Sequence, residues 1–154
     1  MCGIAGLLAP VGHHTRESLE ATAVAMADRL GHRGPDGRGV WSDPSRGVAF
    51  GHRRLAVVDL SDAGAQPMIS HDGRWVLSYN GESYNTDVLV AGLSAARRSS
   101  LVGHSDTEAL LETIAEVGVL VALERFVGMS ALAVWDRESN ERWLARDRFG
   151  GKPL

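Results

Sequence analysis

An α+β fold, with antiparallel sheets covered by helices, is predicted by two observations on the order of segments. Stretches with strand character come as neighbours separated by short turns, as in residues 39–59 and again in 129–147. Stretches with helical periodicity fall between those clusters instead of alternating with single strands. A parallel sheet needs a long crossover between adjacent strands, so this order argues for antiparallel pairing. A chain of 154 residues is one domain by the usual prior and can bury a sizeable core.

Each element has its own warrant. Gly3 to Leu8 is a short apolar run, read as a buried strand that carries Cys2 into the interior. Thr15 is placed to cap a helix running to Leu30, with Gly31 as its stop and Leu19, Ala23, Met26, Ala27 and Leu30 on one face. His32 to Gly37 is dense in turn formers. Strands are expected at Gly39–Trp41, Val48–His52 and Arg54–Asp59, with a Pro/Ser/Gly turn at 43–47 and a loop over 60–68. Trp75 to Tyr79 reads as a strand ending at Asn80-Gly81. Thr86 opens a helix through Ala96, and Ser105 opens another whose stripe is Leu110, Leu111, Ile114 and Val117, with Gly118 behind it. Met129–Asp136 and Glu141–Asp147 form the last pair, joined by a polar turn at 137–140.

Composition narrows the function classes. Apolar residues make up 44% and charged residues 23%, the signature of a globular soluble chain. A net charge of −3 with interspersed signs leaves neither a nucleic-acid footprint nor a polybasic membrane patch. The expectation is therefore no nucleic-acid partner and no membrane, since no run approaches a span and Met1–Pro10 lacks a signal-peptide pattern. A single cysteine excludes an internal disulfide and fits a reducing cytoplasm. The six histidines show no His-Glu-x-x-His spacing, so no metal site or cofactor is expected and most are read as surface or turn residues.

That cysteine is Cys2, where removal of Met1 would give it a free α-amine beside its thiol. A thiol titrates near ~8.5 and an α-amine near ~7.7–8.0, against ~10.4 for lysine, so only the terminal amine is partly free to accept a proton at neutral pH. Such a residue holds a nucleophile and its general base together, with a bridging water as relay. The ordinary reading is a small buried hydrophobe. Other signals are equally double. Arg54 opens the Arg54-to-Asp59 stretch, where a guanidinium could take a carboxylate bidentately or simply lie at the surface. Asn80-Gly81 is a type I′ hairpin signal, or an amide and an N–H aimed at one developing oxyanion. Ser105-x-x-Glu108 matches a capping box, while Asp106 inside it could pair with a ligand ammonium.

Seven motifs occur in one order along the chain: Met1-Cys-Gly-Ile-Ala-Gly6, His32-Arg-Gly-Pro-Asp36, Arg54-Leu-Ala-Val-Val-Asp-Leu-Ser61, Gly64-Ala-Gln-Pro-Met68, Tyr79-Asn-Gly-Glu82, Ser105-Asp-Thr-Glu108, and Arg146-Asp-Arg-Phe-Gly150 with Lys152-Pro-Leu154. Together they resemble the glutaminase half of glutamine-hydrolysing asparagine synthetase, a class II glutamine amidotransferase. The resemblance implies a four-layer αββα N-terminal-nucleophile fold over residues 1–154, with its last strands and the synthetase domain lacking. It implies Cys2 as nucleophile with its amine as base, and Asn80 with the Gly81 N–H as oxyanion hole. Arg54 would hold the glutamine α-carboxylate, Glu82 and Asp106 its α-ammonium, and backbone near Val57 and Val58 would line the pocket. Glutamine would be hydrolysed through a thioester to glutamate and ammonia, for transfer to aspartate. ATP and Mg would belong to the synthetase domain, as ammonia acceptor, and a homodimer is a further expectation.

Four positions depart from the family pattern: Ser83, Ser130, Leu132 and Gly151 stand where other side chains are usual. A serine in place of a large buried apolar group would lose about 1.5–3 kcal/mol of burial. Two other functions stay open. One is a related amidotransferase feeding another acceptor; the other is an inactive fragment or interaction module.

Overall fold

The computed structural model describes residues 1–154. Strand β1 (Gly3–Leu8) leads through helix α1 (Arg16–Asp28) to β2 (Gly37–Asp43) and β3 (Val48–Arg54). These strands form an antiparallel sheet of order β1-β3-β2, with Gly3 opposite Arg53 and Gly37 opposite Arg54. A second antiparallel sheet, β4-β5-β6-β7, joins β4 (Met68–Ile69), β5 (Trp75–Ser83), β6 (Gly128–Asp136) and β7 (Arg142–Arg146). Helices α2 (Thr86–Ala91), α3 (Ala95–Ser100), α4 (Asp106–Val117) and α5 (Val119–Arg125) lie between β5 and β6 in the chain.

The alternation of side chains builds the layers. Ala49 on one face of β3 packs against Leu19 and Ala23 of α1. Val48 and Phe50 on the other face meet Val76 of β5 and Ala133 and Trp135 of β6, closing the sheets on each other. The opposite face of β5 and β6 places Leu77, Tyr79, Leu132 and Val134 against Leu110, Leu111 and Ile114 of α4. The result is α1, sheet, sheet and the α4–α5 layer, the α+β arrangement expected.

Several boundaries differ from expectation. The stretch from Leu55 to Asp59 is not a strand, because the chain leaves the sheet after Arg54 and folds back around its guanidinium. Asn80-Gly81 is not a turn: β5 runs on to Ser83, pairing Asn80 with Ala131 and Gly81 with Ser130. Ordered β6 alongside it supplies the ladder that overrides the local hairpin preference. The helix expected over 86–96 is two helices broken at Gly92–Ser94, and Thr86 lies inside the first instead of capping it. Helix α1 ends at Asp28, before Leu30, and Met26 is exposed. The short α5 was hidden in an apolar run behind Gly118, whose φ of 81° lets the chain reverse between α4 and α5. No helix is long and apolar enough to cross a membrane.

The departures from the family pattern do little harm to the core. Leu132 is fully buried in the α4-facing cluster, Gly151 is exposed, and Ser83 is only half-buried. Ser130 is buried, and its N–H donates to the Asp147 carboxylate at 3.2 Å.

Candidate active site

The upper ends of both sheets open into a cleft of about 540 Å³. Its walls include Cys2, Arg54, Val57, Val58, Asn80, Gly81, Glu82 and Asp106, so all the residues singled out from sequence meet there. Sheet register brings Cys2 to its place. Gly3 pairs with Arg53, so Cys2 lies level with the end of β3, where its Sγ accepts from Leu55 N–H at 3.4 Å. The Cys2 carbonyl accepts from Arg33 Nε at 3.1 Å. Cys2 is half-buried at the rim and Met1 is exposed beside it, so the peptide bond between them lies at the surface.

The His32–Gly37 turn, whose residue types named no chemistry, braces this corner. Asp36 N–H donates to Arg54 O at 3.0 Å, and Ala56 N–H donates to the Asp36 carboxylate at 2.9 Å. Gly34 approaches so closely that a Cβ would stand 2.3 Å from Arg53 O. Arg33 was missed by sequence reasoning; its signal was the Arg-Gly-Pro-Asp motif, but nothing local said that the guanidinium reaches Cys2.

Arg54 ends β3. Its guanidinium donates to Ser61 O at 2.8 Å and to Asp59 O, and Gly64 is glycine because a Cβ would lie 2.1 Å from its Nη2. The loop is held in turn by Asp59, whose carboxylate accepts from Ser61 Oγ at 2.6 Å, Ser61 N–H at 2.8 Å and His104 N–H at 3.1 Å. These bonds keep its carboxyl at about 2, below the usual range. Val57 and Val58 sit exposed on the cleft's lip.

Strand β5 supplies the opposite wall, and its ladder explains why. Past Leu77, the partner of Met68, β4 no longer accompanies it. Tyr79 N–H instead donates to Gln66 Oε1 at 2.6 Å, and Ser83 N–H to Asp106 Oδ2 at 2.9 Å. Alternation in an antiparallel strand sends the N–H of Gly81, midway between them, to the same side. The pairing on the other side agrees, because its register partner Ser130 bonds outward to Asp147, whose N–H donates to Ser130 O at 2.7 Å. A Cβ at position 81 would meet Met129 O and the Tyr79 ring at 2.4 Å. The Asn80 side chain, on the face between the sheets, makes no hydrogen bond to the protein and borders the cleft.

Asp106 is the first residue of α4, behind the Ser105 cap, which accepts from Glu108 N–H at 3.1 Å. The capping box is only half formed, since the Glu108 carboxylate takes Val102 and Gly103 N–H at 2.7 and 2.9 Å. Tyr79 OH donates to Asp106 at 3.3 Å, and burial followed by that carboxylate pushes the phenol well above the usual tyrosine range. Glu82 is exposed and unpaired. Gln66, Tyr79 and Lys152 also line the cleft and were not picked out as site residues. His52 is an exception among histidines expected mostly at the surface or in turns: it is fully buried between the sheets. Its Nδ1 lies 3.1 Å from Ser78 Oγ, and burial followed by Arg54 holds its pKa down at about 3.

Chemically, the cleft joins a thiol, an unused carboxamide, an unpaired amide N–H, the cations Arg54 and Lys152, and the carboxylates Asp59, Glu82 and Asp106. The family model for a glutamine amidotransferase domain matches residues 1–154. Asparagine synthetase [glutamine-hydrolyzing] 2 of Bacillus subtilis is 36% identical over 154 residues, covering 100% of this chain and 20% of that protein. Asparagine synthetase [glutamine-hydrolyzing] 3 of the same organism is 41% identical over 156 residues, covering 100% and 24%. Amidase chry2 of Gibberella zeae is 34% identical over 161 residues, again covering 100% and 24%. The chain thus spans 20–24% of the length of these relatives.

Proposed function

This chain belongs to the glutamine amidotransferase domain family, and from that premise we propose that it hydrolyses the side-chain amide of glutamine through Cys2. The observation that carries the reading is the convergence of Cys2, Asn80, Gly81, Arg54, Glu82 and Asp106 on one cleft.

Removal of Met1 frees the Cys2 amine. That amine, through a water, takes the thiol proton as sulfur bonds to the glutamine side-chain carbonyl carbon. The carbonyl π electrons move to oxygen, and in this reading the Asn80 amide and Gly81 N–H receive that charge. Collapse of the adduct breaks the C–N bond, the leaving nitrogen takes the proton held by the amine, and ammonia departs. Water then attacks the thioester, giving glutamate and restoring the thiol. Arg54 holds the α-carboxylate, while Glu82 and Asp106 meet the α-ammonium. An amide lacking that charged head group would leave these charges unpaired, which supports selectivity for the free amino acid.

The similarity to asparagine synthetases favours aspartate activated by an ATP-dependent synthetase partner as ammonia acceptor. Amidase chry2, similar over the whole chain, favours keeping a different acceptor as the second reading. The test is glutamine hydrolysis by the trimmed chain against Cys2→Ala. Loss of at least about 10³-fold in turnover supports the thiol's role, and equal turnover removes it.

A further inference from the structure

Resting on that reading, we infer that Lys152 forms a carboxylate-reading subsite at the nucleophile end of the cleft, binding the side-chain carboxylate of product glutamate. Lys152 lines the cleft, yet it is only 6% exposed. No carboxylate lies within 4.0 Å of its ammonium, although Asp59, Glu82 and Asp106 line the same cleft. A cation on a buried side chain without a counter-ion is set to gain from a ligand's negative charge.

The backbone says which end of the ligand it faces. The Asp147 carboxylate accepts from Ser130 N–H at 3.2 Å, Gly151 N–H at 2.8 Å and Lys152 N–H at 3.1 Å. Ser130 is the register partner of Gly81, so this clamp anchors residues 151 and 152 beside the Asn80–Gly81 corner. The next residues, Pro153 and Leu154, line the neighbouring apolar cavity, which Cys2 and Asn80 also border. Lys152 therefore sits where the chain passes from the cleft to the second cavity, and Cys2 and Asn80 border both. Arg54, at the end of β3, has two of its N–H groups already held by Ser61 and Asp59 carbonyls.

A cation there distinguishes the two ligands by charge. The glutamine side chain is neutral at that end, whereas hydrolysis leaves a carboxylate. Lys152 thus strengthens product binding more than substrate binding, making the cleft sensitive to glutamate.

The test compares trimmed wild-type chain with Lys152→Met, and with Lys152→Gln should the first fail to fold. Inhibition by L-glutamate is measured against KM for L-glutamine. Loss of one charge-assisted contact is expected to weaken glutamate about tenfold or more while glutamine KM stays within about threefold, and Lys152→Arg is expected to recover most of the loss. Equal weakening of both ligands, or none, overturns the inference. If the wild type hydrolyses glutamine but glutamate inhibition is unchanged in the variants, only this subsite is lost. If it neither hydrolyses glutamine nor binds glutamate, the hydrolase reading falls with it.

Discussion

The two halves of β5 have the same backbone conformation and opposite duties. Its first half, Trp75 to Ser78, has a β-strand on each side for part of its length and packs Leu77 into the α4-facing core. Its second half, from Tyr79 to Ser83, keeps β6 but has lost β4, so its outward amides turn to Gln66, to the cleft and to Asp106. A strand that outlasts its neighbour exposes a row of aligned, rigidly held donors. That is a physical way to preorganise an anion site without a loop, and the ladder on the other side supports its rigidity.

The comparison breaks if mutations in the two halves behave alike. Asn80→Ala is expected to reduce kcat for glutamine by about 10²–10³-fold, the usual cost of one oxyanion donor, while thermal stability holds. Its side chain makes no protein hydrogen bond to lose, and steady-state kinetics beside a melting curve would show the split. Leu77→Ala, with Leu77 fully buried, is expected to cost about 2–5 kcal/mol of stability in denaturant titration, with KM and kcat kept by the folded fraction. Normal kinetics in Asn80→Ala, or a stable Leu77→Ala with lost turnover, would undo the division of labour.

Smaller effects sharpen it. Arg54→Ala and Asp106→Ala are expected to raise KM for glutamine about tenfold or more, with a lesser effect on kcat, because the proposed role of each is to meet the head group and not the reacting carbon. Unchanged KM in both removes those roles. Between the sheets, His52 is held neutral in the fold with a pKa of about 3, against 6.5 for the free side chain. The unfolded chain therefore binds a proton that the native one refuses as pH falls from 6.5 towards 3. Stability contributed by the neutral imidazole is present above 6.5 and drains below it, by about 2 kcal/mol between pH 7 and 5. His52→Gln should flatten that part of the pH–stability curve; an identical slope in the variant contradicts the assignment.

Much of this was legible from the chain. Apolar runs and spacing placed β1, α1, α4 and the β6–β7 pair near their observed positions, although β1, expected as a buried strand, has only Gly3 buried and leaves Gly6 and Leu8 exposed. Motif order along the chain points to the same residues that the cleft brings together. What local pattern could not reveal was set by distant partners. Asn80-Gly81 reads as a turn until β6 is seen alongside it, and Arg54 to Asp59 reads as a strand until the carbonyls of Asp59 and Ser61 are seen around the Arg54 guanidinium. Arg33 and Lys152 stand far from Cys2 in sequence; a tertiary hydrogen bond brings Arg33 to the Cys2 carbonyl, and only the fold shows that Lys152 lines the same cleft. The burial of His52 is not legible locally, since a polar ring between the sheets depends on Ser78 from the other sheet.

The most direct test is glutamine turnover by two preparations of the same chain, one trimmed to Cys2 and one with Met1 retained, each verified by intact mass. The trimmed chain should hydrolyse glutamine, and the chain retaining Met1 should be as inactive as Cys2→Ala, because its Cys2 nitrogen is a peptide amide and accepts no proton. Equal turnover by both preparations would contradict the claim that Cys2 carries its own base.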